Sequence, residues 1–159
     1  MSSPVADGLK WSEAFAVGHP GLDQEHRSIV DAINAIARVD PSPHPPAHLQ
    51  DLLTELRGTA ARHFDHENAI LRHILASAET QTYSPHFLRA MSRGALAQHI
   101  DNHERDLGAL ETIGADANRP LHEELEHWFF SHAVKFDAHL KALFQAIHSE
   151  YPRLLAELP

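Results

Sequence analysis

Residues 52–75 read LLTELRGTAARHFDHENAILRHIL. With Leu49 just ahead, Leu52, Leu53, Leu56, Ala60, Ile70 and Ile74 recur at three- and four-residue steps, the period of a helix with one buried face. His63 and Glu67 stand inside that stripe, between Ala60 and Ile70. A core-facing stripe does not ordinarily carry an imidazole or a carboxylate, and side chains four residues apart lie on the same side of a helix. The stretch therefore reads as a helix from about Ala47 to Leu75 with two metal-capable groups turned toward its core. His66 falls off the stripe and reads as an exposed neighbour.

Working outward, prolines and glycines divide the chain into three more segments of the same kind, with neither β-alternation nor an internal repeat. The first, about Leu22 to Arg38, carries His26, Ile29, Val30, Ile33 and Ile36 on its stripe and ends at DPSPHPP, residues 40–46. The third, about Pro85 to Ile113, runs Phe87, Met91, Ala95, His99, His103, Leu107 and Leu110. The fourth follows GADANRP, where Asn118 or Arg119 is placed to cap and Pro120 to open the helix. It runs Leu121, Leu125, Trp128, His132, Phe136, Leu140 and Leu143. Each segment thus sets histidine where a core residue belongs.

The height of these histidines is informative. In an up-down-up-down bundle with short connections, the end of the first helix and the starts or ends of the others share one end of the molecule. Counted from that end, His26 lies thirteen residues from Val39, His63 sixteen from Ala47, His103 ten from Ile113 and His132 twelve from Pro120. At about 1.5 Å per residue these depths agree within roughly 9 Å. Independent core histidines have no reason to share a layer, and His99 and Glu67 fill the same one.

Composition narrows the chemistry. The chain has 159 residues, enough for one domain with a sizeable core, and fifteen histidines but no cysteine. Any metal is therefore held by imidazole and carboxylate, a donor set that suits iron, manganese or zinc. A net charge of −9 argues against nucleic acid or an anionic membrane surface as partner. The opening MSSPVADGLKW has no apolar run for a signal peptide and no later segment approaches a membrane span, so the expected location is the cytoplasm. There is no H-E-x-x-H, no G-x-S-x-G and no phosphate-binding glycine loop. The single Glu-x-x-His, Glu124 to His127, is too little for a carboxylate-rich ferritin-like centre.

Four motifs in order resemble the hemerythrin family of non-haem di-iron oxygen-binding proteins. They are Trp11, Phe15, Val17 and Gly18 leading to Asp23-Gln24-Glu25-His26; His63-Phe64-Asp65-His66-Glu67; His99-x-x-x-His103; and Trp128-x-x-x-His132-x-x-x-x-Asp137. The resemblance implies an all-α four-helix bundle with metal ligands His26, His63, Glu67, His99, His103, His132 and Asp137. It further implies two iron ions bridged by Glu67, Asp137 and an oxo or hydroxo group, with His99, His103 and His132 on one iron and His26 and His63 on the other. Filling two octahedral metals in this way leaves one open position, beside His26 and His63, which suits reversible binding of dioxygen. Phe129, Ile29 and Ile100 are the candidates to line that pocket. Spacing alone would not select Asp137, which on an ideal helix points roughly 140° away from His132. A bridging role or a local widening of the helix would accommodate it.

The expected organisation is one domain over residues 1–159: an extended N-terminal arm (1–21), the bundle (about 22–148) and a C-terminal tail (149–159). The expected function is oxygen storage, delivery or sensing rather than enzymatic turnover, with dioxygen as ligand and an oxygen-consuming or signalling protein as possible partner. The alternative is a di-iron redox protein acting on peroxide or nitric oxide or in iron handling, with weak oxidase or peroxidase activity, or a ligand sensor that does not carry oxygen stably. Thirty-one residues separate Glu67 from His99, more than the resemblance leads one to expect, and residues 77–94 are expected to cap the end of the bundle near the metals or to be a tolerated insertion. Phe129 stands where leucine is more usual, and Asn68, following Glu67, reads as a surface difference. His44 and His48 straddle the proline-rich loop. His19, His73, His86, His122, His139 and His148 are assigned to surface or packing roles.

Overall fold

The computed structural model describes residues 8–39, 47–78, 82–90, 93–113 and 120–159. These form helices α1 (Pro20–Ala37), α2 (Ala47–Ser77), α3 (Pro85–Ala90), α4 (Arg93–Thr112), α5 (Leu121–Phe130), α6 (Ala138–Glu150) and α7 (Pro152–Glu157), and no strand occurs among the described residues. A π-helical turn, Ser131–Phe136, joins α5 to α6.

Local chemistry sets the start of α1. His19 caps it by accepting from the Leu22 amide, and Pro20 supplies a first-turn residue with no amide to satisfy. Asp23, in that first turn, accepts from the amides of Val17 at 2.7 Å and Gly18 at 3.3 Å. Gly18 makes the bend with φ of 89°, a region costly for residues with a Cβ. The arm ahead of it folds back as a 3-10 turn, Glu13–Phe15, that buries Phe15.

Two apolar clusters make the core. One contains Leu22 of α1, Ile70, Leu71 and Ile74 of α2, Leu96 of α4, and Leu140, Leu143 and Ile147 of α6. The other contains Ile29 to Ile36 of α1, Leu53 to Phe64 of α2, Leu110 of α4, and Leu125 to Ala133. His26 on α1 and His99 and His103 on α4 fall between residues of the two clusters, as does Glu67 on α2, while His63 and His132 sit at the inner edge of the second cluster, beside Phe64 and Ala133. α1 packs on α2 and α5, α2 on α4, α4 on α5 and α3 on α6.

Several boundaries differ from those expected. Within the stretch anticipated as one helix from Pro85 to Ile113, α3 and α4 are the described parts, and Met91 lies outside the described residues. α3 belongs to the 77–94 excursion and is packed in: Tyr83 and Phe87 are buried in the first cluster, and the Tyr151 hydroxyl accepts from the Ser84 amide at 2.6 Å. Residues 149–159, anticipated as a tail, carry the end of α6 and all of α7, whose Leu154 is buried in the same cluster. The cap assigned to Asn118 or Arg119 and the histidine at 44 lie outside the described residues; Pro120 sits at the N-cap of α5 rather than inside it.

Candidate metal centre

All seven residues singled out in the sequence are buried and meet in the layer between the two apolar clusters. Three overlapping groups place one donor atom of each member within 4.8 Å of the others: His26, His63, His132 and Asp137; Glu67, His103 and His132; and Glu67, His99 and Asp137. His26 comes from α1, His63 and Glu67 from α2, and His99 and His103 from α4. His132 lies within the π-turn and Asp137 ends it.

The π-turn explains how Asp137 gets there. The Asp137 amide donates to the carbonyl of His132, five residues back, at 3.1 Å. A turn closed by that bond stacks residue i+5 over residue i, as an α-turn stacks i+4. Asp137 Oδ2 accordingly lies 3.2 Å from His132 Nε2, and also 3.2 Å from His26 Nε2. Of the two routes by which Asp137 could join the set, the local widening of the helix is present.

Outside the layer, the other ring nitrogens of His26, His63 and His103 meet acceptors. His26 Nδ1 donates to the Phe15 carbonyl at 2.6 Å, so the folded-back arm orients this ring. His63 Nδ1 donates to Glu25 Oε2 at 3.0 Å, and His103 Nδ1 to the amide oxygen of Asn68 at 2.7 Å. His132 Nδ1 faces Asp106 Oδ2 at 3.4 Å without a well-aligned hydrogen bond. With Nδ1 carrying the proton, a neutral ring presents a bare Nε2 lone pair to the interior.

Those inward lone pairs converge. His26 Nε2 is 3.1 Å from His63 Nε2, which is 3.2 Å from His132 Nε2. Two bare imidazole nitrogens at that distance repel unless a proton or a metal cation stands between them. Both oxygens of Glu67 and of Asp137, with His99 Nε2 and His103 Nε2, are buried without a hydrogen bond. Glu67 Oε2 approaches His103 Nε2 to 2.9 Å, yet the pair is misaligned, as when two donors aim at a common third point. Buried polar atoms are rarely left so, and this nitrogen and oxygen set fits a cation such as iron, manganese or zinc.

Electrostatics agree. Burial would raise the pKa of Glu67, but His103, His99 and the charges of His63 and His132 hold it well below the ordinary 4.5. At His26, burial lowers the pKa, but the hydrogen bond and charge of Asp137 outweigh it and raise the value above 6.5. His99 is raised too, its burial outweighed by Glu67 and then by Asp137. For His132 burial wins and takes the pKa down to about 3. Farther out, burial raises that of Asp106. The polar layer is an anion-stabilising, cation-seeking site.

The family model of the hemerythrin HHE cation-binding domain matches residues 18–144. The chain belongs to the hemerythrin family. No solved structure matches it. The chain is a metal-binding helical protein, and the groups of the polar layer could hold a metal. No helix among the described residues is long and apolar enough to cross a membrane.

Among the pocket candidates, Phe129 is buried edge-on to His26, with ring centroids 5.6 Å apart, and shares a cluster with Ile29. Ile100 packs instead against the opposite cluster. Around the rings, Phe64 stacks on His103 at 4.4 Å and meets His132 edge-on at 4.7 Å.

The sequence reading missed the outer contacts. Asn68, read as a surface difference, is the acceptor for His103. His66, read as an exposed neighbour, is joined to the site through Glu25, and His139, read as a packing or surface residue, lies edge-on to His99 at 4.8 Å. Adjacency of Glu25 to His26 and of Asn68 to Glu67 was the only signal available. Outer hydrogen bonds of this kind typically change metal affinity by about 10- to 100-fold. Asn68→Ala is therefore expected to weaken metal binding by about tenfold while the helical circular dichroism stays as in the parent, and chelator competition would read it.

Proposed function

We propose that this chain binds dioxygen reversibly at a pair of iron ions, for storage, delivery or sensing, in an up-down-up-down four-helix bundle. Support for the topology is the alternation between clusters: α1 passes from the Leu22 cluster to the Ile29 cluster, α2 returns, α4 repeats the first direction, and α5 with α6 returns again. Support for the site is the placement of the two carboxylates. Glu67 approaches His63, His99, His103 and His132, while Asp137 approaches His26, His99 and His132. Each carboxylate therefore faces rings of both sets, which suits bridging.

In this reading His99, His103 and His132 would hold one iron and His26 and His63 the other. His132 Nε2 also lies close to His63, so its assignment rests on the family pattern more than on proximity. Ferrous ions held there would supply the electrons for reversible dioxygen binding. The protein supplies the rest: Phe15, Glu25 and Asn68 fix ring orientation, and the apolar layers above and below keep bulk water out. Phe129 and Ile29 stand on the side of His26, where the two-histidine iron would have room for a ligand.

The observation that carries the proposal is the meeting of five histidines and two carboxylates, all buried, at one height. The test is metal analysis joined to optical spectroscopy on protein made with ample iron, reduced without air and then cycled through oxygen. The expected result is about two irons per chain and a visible band that appears with oxygen and vanishes on its removal. Oxidation that cannot be reversed by removing oxygen would overturn the carrier reading in favour of redox chemistry.

A further inference from the structure

The side of the centre that carries His63 has an outer layer extending to the last residues of the chain. Glu25 holds two rings at once: Oε2 accepts from His63 Nδ1 at 3.0 Å and Oε1 from His66 Nδ1 at 2.7 Å. His66 Nε2 in turn reaches the backbone oxygen of Pro159 at 3.1 Å. Residues 152–159 are seated by Leu154, buried in the core, and by Leu155 and Leu158 packed against the same cluster.

We propose that His66 is a positioning residue for His63, and that the seating of residues 152–159 sets the orientation of that ring through His66 and Glu25. The physical ground is rotational freedom. A carboxylate with one partner turns readily about its last torsion, where the preference is broad and roughly two-fold. Held at both oxygens, Glu25 has one plane, and His63 then has one place to donate. The His66 ring, with a proton on each nitrogen, is similarly held at both, donating to Glu25 and to the C-terminal segment. Because the side chains of Glu25 and His66 are 31% and 25% exposed, water would compete for either bond if the other partner left.

Close approach at α1 supports a fixed place for His66. A Cβ on Gly21 would stand 3.1 Å from His66 Cε1 and 3.2 Å from His19 Cε1, so only glycine admits both rings as they lie. The inference rests on the reading of His63 as a metal-holding residue, but its first readout does not need metal.

The experiment follows the side-chain nitrogen resonances of His63 in the metal-free 159-residue protein, then the affinity for ferrous ion. In the parent, His63 is expected as a single tautomer with its proton on Nδ1. His66→Phe keeps a ring but no hydrogen bond, and is expected to give a mixture of tautomers and an affinity about tenfold lower. His66→Gln, which can still donate to Glu25, is expected to recover part of both. Gly21→Ala favours the helix and removes no polar group while its Cβ crowds the His66 and His19 rings, so it serves should His66→Phe fold poorly; it is expected to shift His63 in the same direction. Unchanged His63 resonances in His66→Phe, or in Gly21→Ala if only that variant folds, would overturn the proposal. Failure of the metal reading would look different: the parent would take up no iron while its tautomer data could still be read.

Discussion

Glu67→Gln is expected to leave the helical protein intact and to remove most of its metal, from about two irons per chain to fewer than one. One oxygen of this carboxylate, Oε2, lies 2.9 Å from His103 Nε2, 3.3 Å from His99 Nε2, 3.8 Å from His63 Nε2 and 4.0 Å from His132 Nε2. Asp137 approaches three rings to Glu67's four, so the loss of Glu67 would touch both irons. Glutamine has nearly the same shape, but it carries no charge and one of its two terminal atoms is an N–H donor pointed at cations. Losing a ligand in this position should exceed the 10- to 100-fold loss typical of outer-layer changes. Elemental analysis and chelator competition give the metal side, and far-ultraviolet circular dichroism checks the fold. Retention of two irons at parental affinity would remove Glu67 from the set of bridging ligands.

The legibility of this site follows from how its parts are encoded. His26, His63, Glu67, His99, His103 and His132 replace apolar residues at helical spacing, so the stripe that announces each helix also announces its ligands. Their common height could be counted because the segments end at prolines and glycines. Asp137 could not be found by spacing, since SHAVKF contains no proline or glycine to signal a π-turn and the ideal helix points the residue away. Glu25, Asn68, His66 and Asp106 stand off the stripes, where residues are ordinarily solvated. Each acts across to another part of the fold, on α1, α2, α4 or the π-turn, and such contacts depend on how helices rotate and pack against one another. The seating of α3 and α7 was hidden for a related reason: Phe87 could be placed on a stripe, but Tyr83 and Leu154 lie in stretches too short to show a period, and only tertiary packing makes them core.

Metal uptake should strengthen steeply as pH rises through and above 6.5, with about two protons released per chain filled. His26 and His99 have pKa values raised above 6.5 by Asp137 and Glu67 acting against burial, so near that pH the metal-free protein holds protons on both rings. A metal must displace them, and raising the pH removes the competition. The apparent affinity should then climb by up to about a hundredfold per pH unit until both rings are neutral, and level off beyond. His132, taken down to about 3, is already neutral, and Glu67, held well below 4.5, is already ionised; neither adds to the slope in this range. The same two rings have a stability consequence of definite sign. Because their folded values are raised, the stabilisation they give the metal-free protein is fully present below 6.5 and is lost as pH rises through the folded values, just where metal binding takes over. Calorimetric titration in buffers of different protonation enthalpy counts the protons directly. Release of about five would mean that every ring in the layer starts protonated, and release of none would mean that none does; either contradicts the arrangement. Asp137→Asn removes the charge that holds the proton on His26, so its proton release should fall toward about one, even though the variant also binds metal more weakly.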